Sequence, residues 1–198
     1  MKGSNGVIRS EKFELDSKRR ALLNALLEGE GLRASARPRI PRRKDPAFAR
    51  LSPAQQRLWF LYQLEPENPF YNIFTGVRLT GILDIDILRH VLESVVQRHE
   101  ALRTTFSTND GVPLQQIALS LSLPLPIIDL SKIPASEREG EAIRLATAEA
   151  GRPCDLIRGP LVRTTLLKLE EQEHLLLQLH IISDGWSIGV IHREIGAL

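Results

Sequence analysis

Two strand-length apolar segments separated by only four residues constrain this chain more than any other feature. Leu161–Leu169 and His174–Ile182 flank the acidic turn Glu170-Glu171-Gln172-Glu173. Successive side chains of a strand point to opposite faces. Leu175, Leu177, Leu179 and Ile181 therefore share one face, and Leu176, Gln178, His180 and Ile182 the other. A further strand is expected over residues 74–81, another from Leu102 to Phe106, and a short one over Leu114–Ile117 after the Asn109-Asp110-Gly111 turn. Prolines 124 and 126 exclude a helix between residues 120 and 130.

Helical patterns lie between these strands. Ser52 is a natural N-cap and Pro53 suits the first helical position, with Leu58, Leu61 and Tyr62 or Leu64 on one face. Asp84 caps a second helix whose face is Leu88, Val91, Leu92, Val95, Val96, His99 and Leu102. Ser136 and Glu139 have capping-box spacing, and the helix they open runs to about Ala150 before Gly151. Ile188, Ile191, Ile195 and Leu198 form the stripe of a last helix. Hairpins mixed with crossing helices define an α/β protein, a two-layer sandwich of a mixed sheet with helices packed on it.

Charge is distributed unevenly. Residues 1–50 hold 13 Lys/Arg against 6 Asp/Glu, so the other 148 of the 198 residues carry a net charge of −5 within the total of +2. Residues 1–47 read as a basic leader: a short helix capped by Asp16 and Ser17 with a stripe of Leu22, Leu23, Leu26 and Leu27, then the Pro/Arg linker of residues 37–46. Residues 48–198 form the folded part. A mildly acidic fold without interleaved basic and aromatic residues does not suit nucleic acid. No apolar run approaches the ~20 residues that cross a bilayer, and the N-terminus lacks the apolar core of a secretion signal. Cys154 is the single cysteine, so no intramolecular disulfide can form, which is compatible with the cytoplasm.

The segment richest in chemistry is His180-Ile181-Ile182-Ser183-Asp184-Gly185, at a strand end before a new helix. Imidazole is the side chain best able to share a proton near neutral pH. Asp184 has two readings. Buried beside His180 it needs a partner, most simply an arginine; otherwise it caps the last helix. His99 reads as a satisfied core or interface residue, His174 and His192 as solvent-facing, and Trp59 and Trp186 as packing residues. Ser183 and Ser187 are explained by the turn and helix start. No residues have metal-ligand spacing, and there is no Gly-rich phosphate loop or G-x-S-x-G elbow.

Three segments in order carry a resemblance: SPAQQRLWFLYQLEP at 52–66, RHEALRTTF at 98–106 and HIISDGWS at 180–187. Together they resemble the first three signature motifs of the condensation domains of non-ribosomal peptide synthetases, and the resemblance covers residues 52–198. It implies one lobe, the N-terminal one, of a chloramphenicol acetyltransferase-like pseudo-dimer, with a tunnel between lobes for the phosphopantetheine arms of donor and acceptor carrier proteins. It implies an acyltransferase-type reaction in which an acceptor amine attacks a donor thioester, with no cofactor bound directly. His180 matches the family's active histidine, acting as a base or as a positioning and electrostatic group. Asp184 matches the motif aspartate, paired with an arginine; Arg103 is the preferred partner and Arg98 the second. Gly185 permits close approach of backbone to substrate.

The family places two histidines together where this chain has Leu179-His180. Leu179 lies on the strand face opposite His180, so a substitution can be absorbed by the core, whereas a deletion would reverse every upstream side chain. The chain's end soon after the third motif leads us to expect that the C-terminal lobe and an adjacent adenylation domain lie outside it, and that the fragment alone is inactive. The alternative is a truncated, non-catalytic module that only contacts a carrier protein or neighbouring domain. A coenzyme A acetyltransferase and a heterocyclising domain fit the motifs less well.

Overall fold

The computed structural model describes residues 22, 25, 26, 43 and 45–198. The chain divides into one unit over Met1–Arg42 and another over Arg43–Leu198. In the first, Leu22, Ala25 and Leu26 are helical and exposed; the rest of the expected leader helix and linker, except Arg43, Asp45 and Pro46, lies outside the described residues.

The second unit builds two sheets. Strands β1 (Phe48–Arg50), β3 (Thr104–Asn109) and β4 (Val112–Ile117) form one, in the order β1-β4-β3. Strands β2 (Ile73–Thr80), β5 (Ile127–Asp129), β6 (Val162–Glu170) and β7 (Glu173–His180) form the other, in the order β2-β7-β6-β5. Only β5 and β6 pair in parallel; the remaining pairs are antiparallel. The β3–β4 hairpin turns through Asp110 at φ 48° and Gly111 at φ 79°. That left-handed pair is the one a tight hairpin needs, and glycine adopts it without a Cβ clash.

Four helices accompany the sheets: α1 (Pro53–Leu64), α2 (Ile85–Arg98), α3 (Ala135–Ala150) and α4 (Gly185–Ile195). The mixed α/β sandwich follows the expectation, and its strands are shared between two sheets rather than gathered into one. Helices lie on both faces of the four-stranded sheet. Leu88, Leu92, Val95 and Val96 of α2, with Ile191 and Ile195 of α4, pack on Val162, Leu166 and Leu176. On the opposite face Ala142, Leu145 and Ala146 of α3 pack on Leu167, Leu169 and Leu177. At the far end of that face, α1 brings Leu58, Trp59 and Tyr62 against Phe106, Leu156 and Leu179. Strand β7 is thus central in its sheet and covered on both sides, and its last residue is His180.

Local sequence accounts for most element ends. Ser52 caps α1 in a reciprocal capping box with Gln55, and Asp84 caps α2 through the amides of Asp86 and Ile87. The box expected at Ser136 is not formed: α3 starts two residues earlier, behind Pro134, with no side-chain cap. Glu139 instead reaches across to Arg78 of β2 at 3.0 Å.

Candidate functional site around His180

Two strand pairings fix the backbone of His180. It lies opposite Ile73 on β2 and opposite Val162 on β6. The next residues leave the sheet and turn into α4, whose N-cap is Asp184. The turn folds Ser183 back, so that its Oγ lies 2.5 Å from Nδ1 of His180. The imidazole is 4% exposed. It lines a cavity of about 20 Å³ between β6, β7, α2 and α4, together with Gln178 and His192. That is room for about one water molecule. Burial, and then the charge of His192, lower the His180 pKa to about 4. Desolvation disfavours the charged imidazolium, so the ring is neutral at physiological pH.

Leu179 points the other way. It is fully buried against Leu51, Phe106, Leu156 and Leu161. The alternation is unbroken through His180, as a substitution at 179 requires. A leucine here fills an apolar site in which an imidazole would need a hydrogen-bonding partner.

The proposed partner of Asp184 requires correction. Asp184 is exposed, and its Oδ1 accepts from the Ser187 amide at 2.8 Å and from Ser187 Oγ at 2.5 Å. These hydrogen bonds hold its carboxyl below the usual carboxylate range. Arg103 is elsewhere: its guanidinium donates to the Ala118 carbonyl and lies 3.8 Å from Glu100. Arg98 pairs with Glu194 at 3.3 Å. The structure thus brings His180, Ser183 and the Asp184 cap together and leaves both arginines outside. The physical reason is that Asp184 finds its donors at the helix start, where amides and a hydroxyl are available without desolvating a charge pair.

Three further expectations are corrected. His174 is 3% exposed rather than solvent-facing, with Nδ1 buried and unpartnered among the described residues. His192 is half-buried, and its Nε2 donates to Gln178 Oε1 at 2.7 Å. Trp186 is 82% exposed rather than packed, unlike Trp59, which stacks on Tyr62 with ring centroids 5.8 Å apart. His99 is satisfied as expected, 2.9 Å from Glu194. Strand periodicity held the signal missed at His174, while the helix stripe left His192 ambiguous. His174 shares its strand face with Leu176 and His180, and His192 falls within the Ile188–Ile191–Ile195 stripe.

On the surface side of Ser183 lies a second, larger cavity of about 310 Å³, lined by Ser52, Gln55, Leu58, Ile182, Asp184 and Ser187, among others. The start of α1 and the start of α4 thus face one open pocket, with Ser183 between it and the imidazole. Gly185, at the first position of α4, has open space where a Cβ would sit.

A central strand thus delivers a buried, neutral histidine to a capped turn inside a mixed α/β sandwich. The chain belongs to the condensation domain family, whose profile matches residues 47–198. It is similar to one of the linear gramicidin synthase proteins of Brevibacillus parabrevis, 53% identical over 150 residues, which are 75% of this chain and 3% of that protein. It is also similar to phosphinothricin tripeptide synthetase PhsC of Streptomyces viridochromogenes, 42% identical over 187 residues, 93% of this chain and 17% of that one. Among solved structures, it superposes on the first condensation domain of the calcium-dependent antibiotic synthetase, in complex with substrate analogue 2a, with a TM-score of 0.68 and 27% identity. That match covers 75% of this chain and 36% of the solved one. The starter condensation domain of rhizomide synthetase RzmA gives a TM-score of 0.67 at 27% identity, over 75% of this chain and 37% of that one. The chain therefore spans a small part of the curated synthetases it matches and a little over a third of the solved chains.

Proposed function

We propose that residues 48–198 are the N-terminal lobe of an amide-forming condensation domain, preceded by a leader over residues 1–47. In the completed domain a donor acyl or peptidyl thioester meets an acceptor aminoacyl amine. Both are carried on the phosphopantetheine arms of carrier proteins, and an adenylation domain is adjacent in the synthetase. The cytoplasm, where carrier-bound thioesters are made, is the expected compartment.

One observation carries this reading: the chain's motif histidine stands at the end of the central strand, neutral, hydrogen-bonded by Ser183 and next to the capped turn. Neutral imidazole can accept a hydrogen bond from the attacking amine. A ring that takes up a proton only near pH 4 is a weak base, so it orients the amine and stabilises developing charge rather than keeping the proton. Asp184 fixes the turn as the N-cap of α4. The Gly185 amide, at that helix start, has room to approach the thioester oxygen, where a backbone N–H stabilises negative charge.

The near-closure of the cavity around His180 favours a second reading, a non-catalytic module that only contacts a carrier protein or neighbouring domain. One comparison separates the two. In a complete condensation domain supplied with loaded carriers, His180→Ala and His180→Gln should each lower amide formation by about 100-fold or more, with the melting transition still cooperative. Product yield equal to that of the parent in both variants would leave only the non-catalytic reading.

A further inference from the structure

We propose that His192 is a positioning residue for His180, one that lines the same cavity and, through Gln178, ties α4 to the strand that carries that ring. The inference rests on the amide-forming reading of His180 for its catalytic meaning, but its physical content is independent of that reading. Both imidazoles, with Gln178, line the small cavity between α4 and the sheet. Helix α2 and residues Leu102 and Leu123 present only aliphatic side chains to it, and β6 presents Val162 and Thr164. His180's pairing neighbour on β2 is Ile73. Among the described residues lining the cavity, His192 is therefore the one other group that titrates.

Hydrogen bonding sets the arrangement. Gln178 Oε1 can only accept, so the 2.7 Å contact requires a proton on Nε2 of His192. Gln178 is two residues before His180 on the same strand face, so the bond ties α4 to the end of β7 beside the active ring. Two imidazoles around a volume of about 20 Å³ cannot both be charged cheaply, because little water is present to screen them. A proton on His192 raises the cost of one on His180, and the reverse holds equally. The family's motif, which this chain resembles, carries its first histidine just before the active one; here that position is Leu179, buried on the opposite face, and the neighbouring imidazole comes from the helix.

Nuclear magnetic resonance on the 198-residue chain tests the assignment. At pH 7, long-range proton–nitrogen spectra should show His192 as the Nε2–H tautomer, and this needs no variant. Gln178→Met should release it to the mixture of tautomers typical of free imidazole. In an acid titration, His192→Gln should move the His180 midpoint upward by roughly half a unit, through loss of one neighbouring charge. An Nδ1–H tautomer at His192 in the parent protein, or a His180 midpoint that does not move in folded His192→Gln, overturns the proposal. Neither result bears on amide formation, which the His180 variants test separately.

Discussion

An imidazole at the end of a covered strand gives this protein a built-in acid sensitivity. Free histidine takes up a proton near pH 6.5, while His180 resists it down to about 4 because its site is desolvated and His192 stands nearby. Between those values the unfolded chain binds a proton that the native chain refuses. Stability conferred by the neutral ring is thus complete above about pH 6.5 and is lost as pH falls toward 4, by roughly 3 kcal/mol. His174 acts in the same direction, its pKa lowered by burial and by Lys168. Urea unfolding from pH 7 to pH 4 should show a steep fall in stability, shallower by about one proton in His180→Gln. An equal slope in parent and variant would mean that the ring titrates normally. The sequence made His180 legible, because the motif singles it out, and hid His192, because a histidine on a helix stripe looks the same whether it faces solvent or a second imidazole. It also suggested an arginine for Asp184. A carboxylate satisfied by its own helix start leaves no trace in sequence that separates it from one awaiting a distant partner.

At the scale of elements, strands and helices followed from periodicity and caps, while their beginnings depended on which of several local hydrogen bonds won. Ser52-Pro53 and Asp84 were unambiguous, since each is followed at once by a helical apolar stripe. The Ser136-x-x-Glu139 spacing was equally well formed, yet its glutamate is engaged by Arg78 on a neighbouring strand, and Pro134 already fixes the chain for helix entry. A tertiary ion pair overrode a local motif, which no reading of residues 134–139 alone could reveal. These two helix starts should therefore respond differently to the same substitution. Ser52→Ala removes a formed cap and should cost about 1 kcal/mol. Ser136→Ala, at an exposed position inside the first turn, should change stability by less than about 0.5 kcal/mol. Denaturation of both variants under one set of conditions checks this, and equal losses would mean that the Ser136 box does form in solution.

For the molecule as a whole, the division into two sheets is the feature that sequence reading missed, because strand periodicity says which side chains share a face but not which strands share a sheet. A small core joins the sheets. Phe106, on β3 of the three-stranded sheet, is fully buried with Leu156, Leu161 and Leu179, the last from the central strand of the other sheet. Its amide donates to the Leu156 carbonyl at 2.8 Å, and its ring lies 6.2 Å from that of Trp59 on α1. Three parts of the fold therefore meet on one side chain, and Leu179, which it holds in place, immediately precedes His180. Truncation here removes apolar burial and opens a void that a rigid junction between sheets closes poorly. Phe106→Ala should cost about 3–5 kcal/mol, while Phe106→Leu, which keeps most of the volume, should cost less than about 1.5 kcal/mol. The same disturbance should reach the imidazole: as Leu179 shifts into the void, the Ser183–His180 hydrogen bond loses its fixed geometry, and the His180 resonance should broaden in Phe106→Ala while remaining sharp in Phe106→Leu. A Phe106→Ala protein with near-parental stability and an unchanged His180 signal would show that the two sheets hold together without this core, and that β7 is positioned by the helices packed on its sheet.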